Sequence, residues 1–503
     1  MRRFSLSNLL SLIPHSFWLL GMSILVSLFF LVPHLPSFSP VPFIDAAVFL
    51  YIGWQWNEGL LPYRDLWDHK PPLIYLIDAI GYRLTGGQAG AWLIETILIT
   101  FSFFLLVYLL YHQYGKKAVI ALLPAFWAPF QYTYIRNMTE NIALPWQVGL
   151  LYLASIPQWQ LPHFALLGST TAFLLMSRPN IALGGLFLFG YALRYRGTRE
   201  RWKSFGIWLL SLLSIWFPFL LYMKKHHALQ AFWDAVVVFN LSYHQAGFSK
   251  TWWEIFVQLL YFLPPWIIWM VLLSVSVAFY SSEKSQKNFF IPYIGLLVAD
   301  IIAVALPRRA VVHYAMNLVP IFAFWSAYGL IFVFKHWRSV ALSHKALTAS
   351  MLFASLWLAL VPKTSLWWIQ TKKYQHHEYV NASQFIQRYT KPTETSFLWG
   401  EIRVNVLARR RTPTRYVVFP PSYAPNYEQH LERLLSDLER NKPIFIVDTF
   451  KRGISIWDLW NEQPDLAQRA NRLRERYIPI HQIRVGKRDW IFYILKSEAE
   501  RLK

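Results

Sequence analysis

From Phe17 to Val361 the chain returns repeatedly to unbroken apolar stretches, and this pattern limits the fold more than any other feature. Stretches of roughly 16–25 residues have the length that a helix needs to cross the hydrocarbon layer. Inside lipid only helices and closed barrels satisfy their own backbone N–H and C=O groups. Such runs are read near Phe17–Leu35, Ala91–Tyr111, Ala118–Tyr134, Asn141–Ile156, Pro162–Ser177 and Asn180–Tyr195. Others lie near Ser204–Tyr222, Trp253–Tyr280, Phe289–Leu306, Ala315–Phe334 and Lys345–Val361. The expectation is a polytopic α-helical membrane protein with about eleven transmembrane helices over residues 1–362. A cleaved signal peptide is disfavoured, because the first apolar run is too long and no small-residue cleavage site follows it.

Charged residues make up 15% of the chain, well below the quarter usual in soluble proteins, and aromatics reach 18%. Trp and Tyr in that abundance suit the two membrane interfaces. The absence of cysteine excludes disulfides, thiolate metal sites and thiol catalysis. A net charge of +22 invites a nucleic-acid partner. Its distribution favours the bilayer surface instead. Before residue 363 the 24 Lys and Arg sit mostly in short gaps between apolar runs, as the positive-inside rule expects, and the other 25 follow.

With the N-terminus in the cytoplasm, fourteen of those 24 cations fall in cytoplasmic gaps. The remaining ten include compact outer-face groups: Arg64 with Lys70, Arg136, Arg178, Lys224 with Lys225, and Arg308 with Arg309. Cations kept on the disfavoured face suggest an anionic ligand there, snorkelling to lipid phosphates being the plainer reading of each. An odd number of helices puts residues 363–503 on the same face. That tail alternates strand-like runs (Ser396–Trp399, Arg415–Val418, Ile444–Asp448, Trp490–Leu495) with helical ones (His376–Tyr389, Asn426–Arg440, Gln463–Arg476). It reads as a small extracytoplasmic α/β domain. Asp448 at a strand end and Asp489 in a turn are read as structural. No Walker motif or glycine-rich phosphate loop is present, which argues against nucleotide hydrolysis.

The outer loop 37–90 departs from the apolar pattern. It holds Asp45, Glu58, Asp65, Asp68 and Asp78, five of the twelve acidic residues before residue 363, together with Arg64, His69 and Lys70. Charges near a bilayer are costly and usually mark a site. Asp45 stands in the first turn of a short helical segment, where the helix dipole favours a carboxylate, so a simple N-terminal role is the plainer reading. Pro71 and Pro72 stiffen the backbone after Lys70. A second group, Arg136-Asn137-Met138-Thr139-Glu140, follows the third span. Its Arg136 and Glu140 stand at i,i+4, where a helix-surface ion pair is the ordinary expectation.

These residues carry a resemblance. Asp45 shortly after the first helix, the run Gly59-x-x-Pro62-Tyr63-Arg64-Asp65-x-x-Asp68-x-Lys70-Pro71-Pro72, and Arg136-x-x-x-Glu140 together resemble the GT-C membrane glycosyltransferases. Most similar is the bacterial branch that contains protein O-mannosyltransferases and aminoarabinose transferases. The outward Arg178-Pro179-Asn180, the basic segment Arg308 to Tyr314 and the tail's Phe397-Leu398-Trp399-Gly400 and Arg409 to Tyr416 extend the likeness over nearly the whole chain. It implies an enzyme of the cell (inner) membrane that takes a sugar from a polyprenyl-phosphate lipid at the outer face. The acceptor would be a lipid, glycan or protein. Asp45 would be the base or acceptor-orienting carboxylate, and Glu140 a second acid near the donor. Lys70, Arg178, Arg308, Arg309, His313 and Tyr314 would contact the donor phosphate. Tyr63, Arg64, Asp65, Asp68, His69 and Arg136 would line the substrate loop. Many relatives have a second acid next to or two residues after the first aspartate, whereas Ala46 and Ala47 follow here, so no metal or other cofactor is expected.

The chemistry fits such a site on its own terms. Sugar transfer from a lipid phosphate needs a base on the acceptor hydroxyl and cations on the departing phosphate. A single base opposite the leaving group implies inversion. A transporter or flippase for lipid-linked sugars is the rival class, with Asp300 as its deep acid, but no repeated halves accompany it. A membrane anchor presenting the tail as a binding module would leave the acidic loop idle.

Overall fold

The structure is a computed structural model that describes residues 6–194, 196–246, 251–280, 284–307, 309, 311–335, 377–422, 424–450, 453–486 and 488–502. The molecule is mostly helical, with several apolar helices and a small mixed sheet near its C-terminus. The described residues form two compact units, each assembled from separated stretches.

The first unit draws on residues 1–34, 93–222 and 247–368. Apolar helices compose it, among them Leu6–Leu31, Lys116–Thr133, Thr139–Ala154, Leu161–Ser177, Lys284–Ala305 and Val319–Lys335. Among the described residues, Phe17–His34, Gln88–His112, Thr198–Lys225 and Val312–Lys335 are long and apolar enough to cross a membrane. On Thr198–Lys225 the apolar Leu210, Phe217 and Leu221 are exposed, as lipid-facing side chains would be. In contrast Trp127 and Trp325 are wholly buried in the bundle. The expected span Trp253–Tyr280 is two helices, Trp252–Tyr261 and Pro265–Tyr280. Pro264-Pro265 explains the break, since a residue before proline is driven out of the helical region and proline then opens the next helix. The expected span Lys345–Val361 lies outside the described residues.

The second unit draws on residues 35–92, 223–246 and 369–503. Its sheet has the order β1-β2-β4-β3, with β1 Ser396–Leu398, β2 Phe445–Asp448, β3 Tyr477–Val485 and β4 Arg488–Leu495. β1 and β2 are parallel, and the other pairs are antiparallel. β2 is buried at every residue because both faces are covered: Phe445 and Val447 pack into one cluster and Ile446 into another. The second cluster contains Trp67 of the first loop and Phe239 of residues 223–246, so the acidic loop shares a core with the sheet.

Two tail expectations change. Arg415–Val418 is not a strand. It forms one isolated parallel bridge, Trp67 with Tyr416, in which Trp67 N–H donates to Arg415 O at 2.7 Å. The edge strand Tyr477–Val485 was not expected, its polar Gln482 and Arg484 and the irregularity at Pro479 obscuring the strand pattern. Asp448 and Asp489 are structural in their contacts. The first accepts from Phe450 N–H at 3.0 Å and Ile456 N–H at 3.3 Å, and the second pairs with Arg484 at 2.9 Å across the hairpin.

Candidate active site

In the second unit the helix Ile44–Asn57 carries Asp45 in its first turn and packs along Leu73–Thr85. Their approach depends on Gly53, where a Cβ would come within 2.6 Å of Asp78 Cβ and 2.7 Å of Ala79 N. Helix Ile402–Ala408 covers the first of these helices from the tail side. Thr412 N–H donates to Tyr51 Oη at 2.8 Å, and Arg411 pairs with Glu58 at 3.2 Å.

The turn between the helices is over-determined. Asp65 caps it by accepting from Leu61 N–H at 2.9 Å and holds Arg64 through two bonds of 2.9 and 2.7 Å. Tyr63, fully buried at φ 69°, donates its hydroxyl to Lys70 O at 2.9 Å. Asp68 is buried and accepts from Tyr75 Oη at 2.6 Å and from His69 N–H at 2.8 Å, with His69 Nδ1 at 3.3 Å. Burial alone would raise its pKa, but these donors and the Lys70 charge hold it below the usual carboxylate range. His69 is fixed in turn by Asn240, whose side chain donates to its carbonyl at 2.8 Å.

Two groups escape this network. Among the described residues, half-buried Asp45 and Lys70 have neither a hydrogen-bond nor an ion-pair partner for their charged ends. They do sense each other. Burial raises the Asp45 pKa above its ordinary value, the Lys70 charge opposes that rise, and Asp68 adds to it. Asp68 is engaged by Tyr75 and His69 and forms no ion pair with Lys70.

In the first unit the residues before Glu140 are set by a carboxylate that sequence reading missed. Glu95, buried in Gln88–Tyr114, accepts from Asn137 N–H at 2.8 Å, Asn141 Nδ2 at 2.5 Å and Tyr134 Oη at 3.1 Å. Asn137 takes φ 60°, a left-handed turn that asparagine tolerates, and the helix Thr139–Ala154 starts two residues later. Glu140 stands in its first turn and is ion-paired to Arg178, with His313 Nε2 at 3.8 Å. Arg136 instead donates to His34 O at 2.9 Å.

Arg178 ends the helix Leu161–Ser177 in extended geometry, as a residue before proline must. Its guanidinium lies 3.8 Å over the Tyr314 ring and reaches Asn180 Oδ1 at 3.2 Å. His313 and Tyr314 are buried in the 3₁₀ turn Val312–Leu318. Arg309 is half-buried, and Arg308 lies outside the described residues. The expected residues thus form two groups: Asp45, Asp68, His69 and Lys70 in the second unit, and Glu140, Arg178, His313 and Tyr314 in the first. Among the described residues no cluster of three or more His, Asp or Glu is placed to hold a metal ion.

Solved structures carry the comparison. ArnT from Cupriavidus metallidurans bound to undecaprenyl phosphate aligns with 96% of this chain and 98% of its own, with a TM-score of 0.63 and 10% identity. The apo form of the same protein aligns with 95% of this chain and 98% of its own, at a TM-score of 0.60 and 11% identity. The chain has the ArnT fold. No family model matches the sequence. Nor does any curated protein match it. At such low identity ArnT shares the fold of this chain, and side-chain roles rest on the geometry above.

Proposed function

We propose that this protein is an integral-membrane glycosyltransferase that moves a sugar from a polyprenyl-phosphate donor to an acceptor hydroxyl or phosphate, with inversion. The observation that supports it most is the pair of charges, Asp45 and Lys70, which have no hydrogen-bond or ion-pair partner among the described residues, in a fold shared with a protein solved with undecaprenyl phosphate. A carboxylate whose pKa is raised by burial is a better base than an ordinary aspartate.

For a hydroxyl acceptor, Asp45 takes its proton as the oxygen bonds to the anomeric carbon. The bond from that carbon to the phosphate oxygen breaks, and its electron pair leaves with the lipid phosphate. Lys70 stabilises charge on that phosphate, which grows as the bond lengthens. Within the first unit, Arg178, stacked on Tyr314 and held by Glu140, offers positive charge to an anion together with Arg309 and His313. In this reading about eleven helices cross the cell membrane with the N-terminus inside and the tail outside.

The test is to incubate purified protein in micelles with a panel of polyprenyl-phosphate sugars and follow release of the lipid phosphate. Release from one donor, abolished in Asp45→Asn, is the expected result. Silence across a full panel of donors and acceptors, with the protein folded, would remove the reading.

A further inference from the structure

The second unit contains a cavity of about 510 Å³ that the transfer chemistry does not use. Its wall comes from three separated stretches: Arg64 and Trp67 of the first loop, residues 227–239, and a tail segment that includes Arg415, Tyr416, His430 and Arg433. Its size lies within the ordinary range for small-ligand sites and is far more than a bare phosphate needs.

The charges in it are unevenly balanced. Arg64 is neutralised by Asp65 and donates to His226 O at 2.7 Å, so it serves as wall. Arg415 is anchored by one Nη on Tyr63 O, while its buried Nε has no hydrogen-bond partner among the described residues. Arg433 is exposed and, among the described residues, has neither an ion-pair nor a hydrogen-bond partner. The two guanidiniums are near enough for the Arg433 charge to act on Arg415. Like charges on one cavity repel, and Asp437, which lies outside the lining and accepts from the Arg415 backbone N–H, offsets the pair only in part. Of the lining residues only Asp234 is acidic, and it accepts from Gln230 at 2.8 Å on the opposite stretch.

Two further features point the same way. Helix Tyr427–Asn441 opens onto the cavity through Asn426, Gln429, His430 and Arg433, and Asn426, at φ 56°, makes no side-chain capping bond. Its first N–H groups therefore add positive potential. The opposite wall is a π-helical turn, Asp234–Val238, within an otherwise α-helical run. Such turns concentrate at functional sites, because they displace side chains from the regular helical path.

The remaining lining suits a sugar. Trp67, Tyr416 and Phe239 give aromatic surface, with Tyr416 Oη 2.9 Å from His430 Nδ1, and Gln230, Asn426 and Gln429 offer amides for hydroxyl groups. Arginine pairs grip phosphate with directed hydrogen bonds that a lysine cannot match. We propose that this cavity is a binding site for a phosphate-bearing saccharide, with Arg415 and Arg433 on the phosphate and Trp67 and Tyr416 against the sugar. Neither Asp45 nor Lys70 lines it, and its occupancy does not depend on whether transfer occurs.

The experiment is calorimetric titration of the full-length protein in micelles with a hexose 6-phosphate, the parent hexose and inorganic phosphate. Hexose phosphate is expected to bind best, with its affinity falling as salt rises. Arg433→Ala should weaken it at least about tenfold, the worth of a charged hydrogen bond, and Arg433→Glu should abolish it. Arg440→Ala, an exposed change on the same helix and outside the lining, should leave binding unchanged. Displacement of the sugar phosphate by a micellar lipid with a phosphorylated saccharide head would identify a headgroup as the source. Failure of that lipid to displace would identify a soluble sugar phosphate. The proposal is overturned if Arg433→Glu, with an unchanged melting temperature, binds as the parent does. It is equally overturned if hexose or inorganic phosphate alone matches hexose phosphate.

Discussion

The hydroxyl of Tyr63 donates to the carbonyl oxygen of Lys70 at 2.9 Å, closing the acidic loop across its own base. The bond fixes the backbone from which the Lys70 ammonium extends. Tyr63→Phe removes the donor and leaves a carbonyl without its partner, at a cost of about 1–2 kcal/mol in stability. In the assay for freed lipid phosphate, the donor KM should rise while kcat changes less. An unchanged KM would detach loop shape from donor binding.

Asp45→Asn should lower turnover by about two to four powers of ten, the span of general-base catalysis, without altering the melting temperature by more than a degree or two. Near-normal turnover would remove Asp45 from the chemistry.

The pH profile should carry the sign of the Asp45 shift. Its carboxyl titrates above the ordinary aspartate value because burial raises its pKa. The acid limb of kcat/KM should therefore lie above pH 4, the usual aspartate range. Lys70 opposes that rise, so Lys70→Ala should move the limb to higher pH as well as weaken donor use about tenfold. A limb that moved down would contradict the proposed pair.

Asp68 should behave oppositely and in stability rather than rate. Despite burial, its folded-state pKa is held below the usual value by His69, Tyr75 and Lys70. Its contribution is full above the unfolded pKa of about 4 and is lost as pH falls through the folded value. Asp68→Ala should cost about 3 kcal/mol at pH 7 by leaving Tyr75 Oη and His69 N–H unpaired. The gap in melting temperature from the parent should narrow on acidification.

Trp67→Ala should loosen the sheet rather than the loop alone, since Trp67 belongs to the cluster that covers Ile446 and Tyr493. Loss of a buried tryptophan costs about 3–5 kcal/mol. Amide exchange at residues 445–448 should accelerate. Protection equal to the parent would show that the cluster is not cooperative with β2.

Sequence reading fared best where one physical requirement dominates. Apolar runs marked Gln88–Tyr114 and Lys116–Thr133 nearly to their ends, and alternation in the tail located β2 and β4. The helical run from Leu229 to Ala246 was missed because its π turn interrupts the helical spacing of apolar residues. Glu95 was invisible for another reason. It stands alone within an apolar run, and its partners Tyr134, Asn137 and Asn141 follow some forty residues later. Motif spacing did single out Asp45 and Lys70. Nothing local could show that Tyr75 and His69 would occupy Asp68 and leave Lys70 unclaimed.

The burial of Trp67 beside Tyr416 makes the last quarter of the polypeptide part of the acidic loop's own scaffold. A chain cut after Pro362 would keep every residue of the Pro62–Pro72 turn yet lose the wall it rests on. Substitutions deep in the tail should accordingly surface as defects in the loop that carries Lys70.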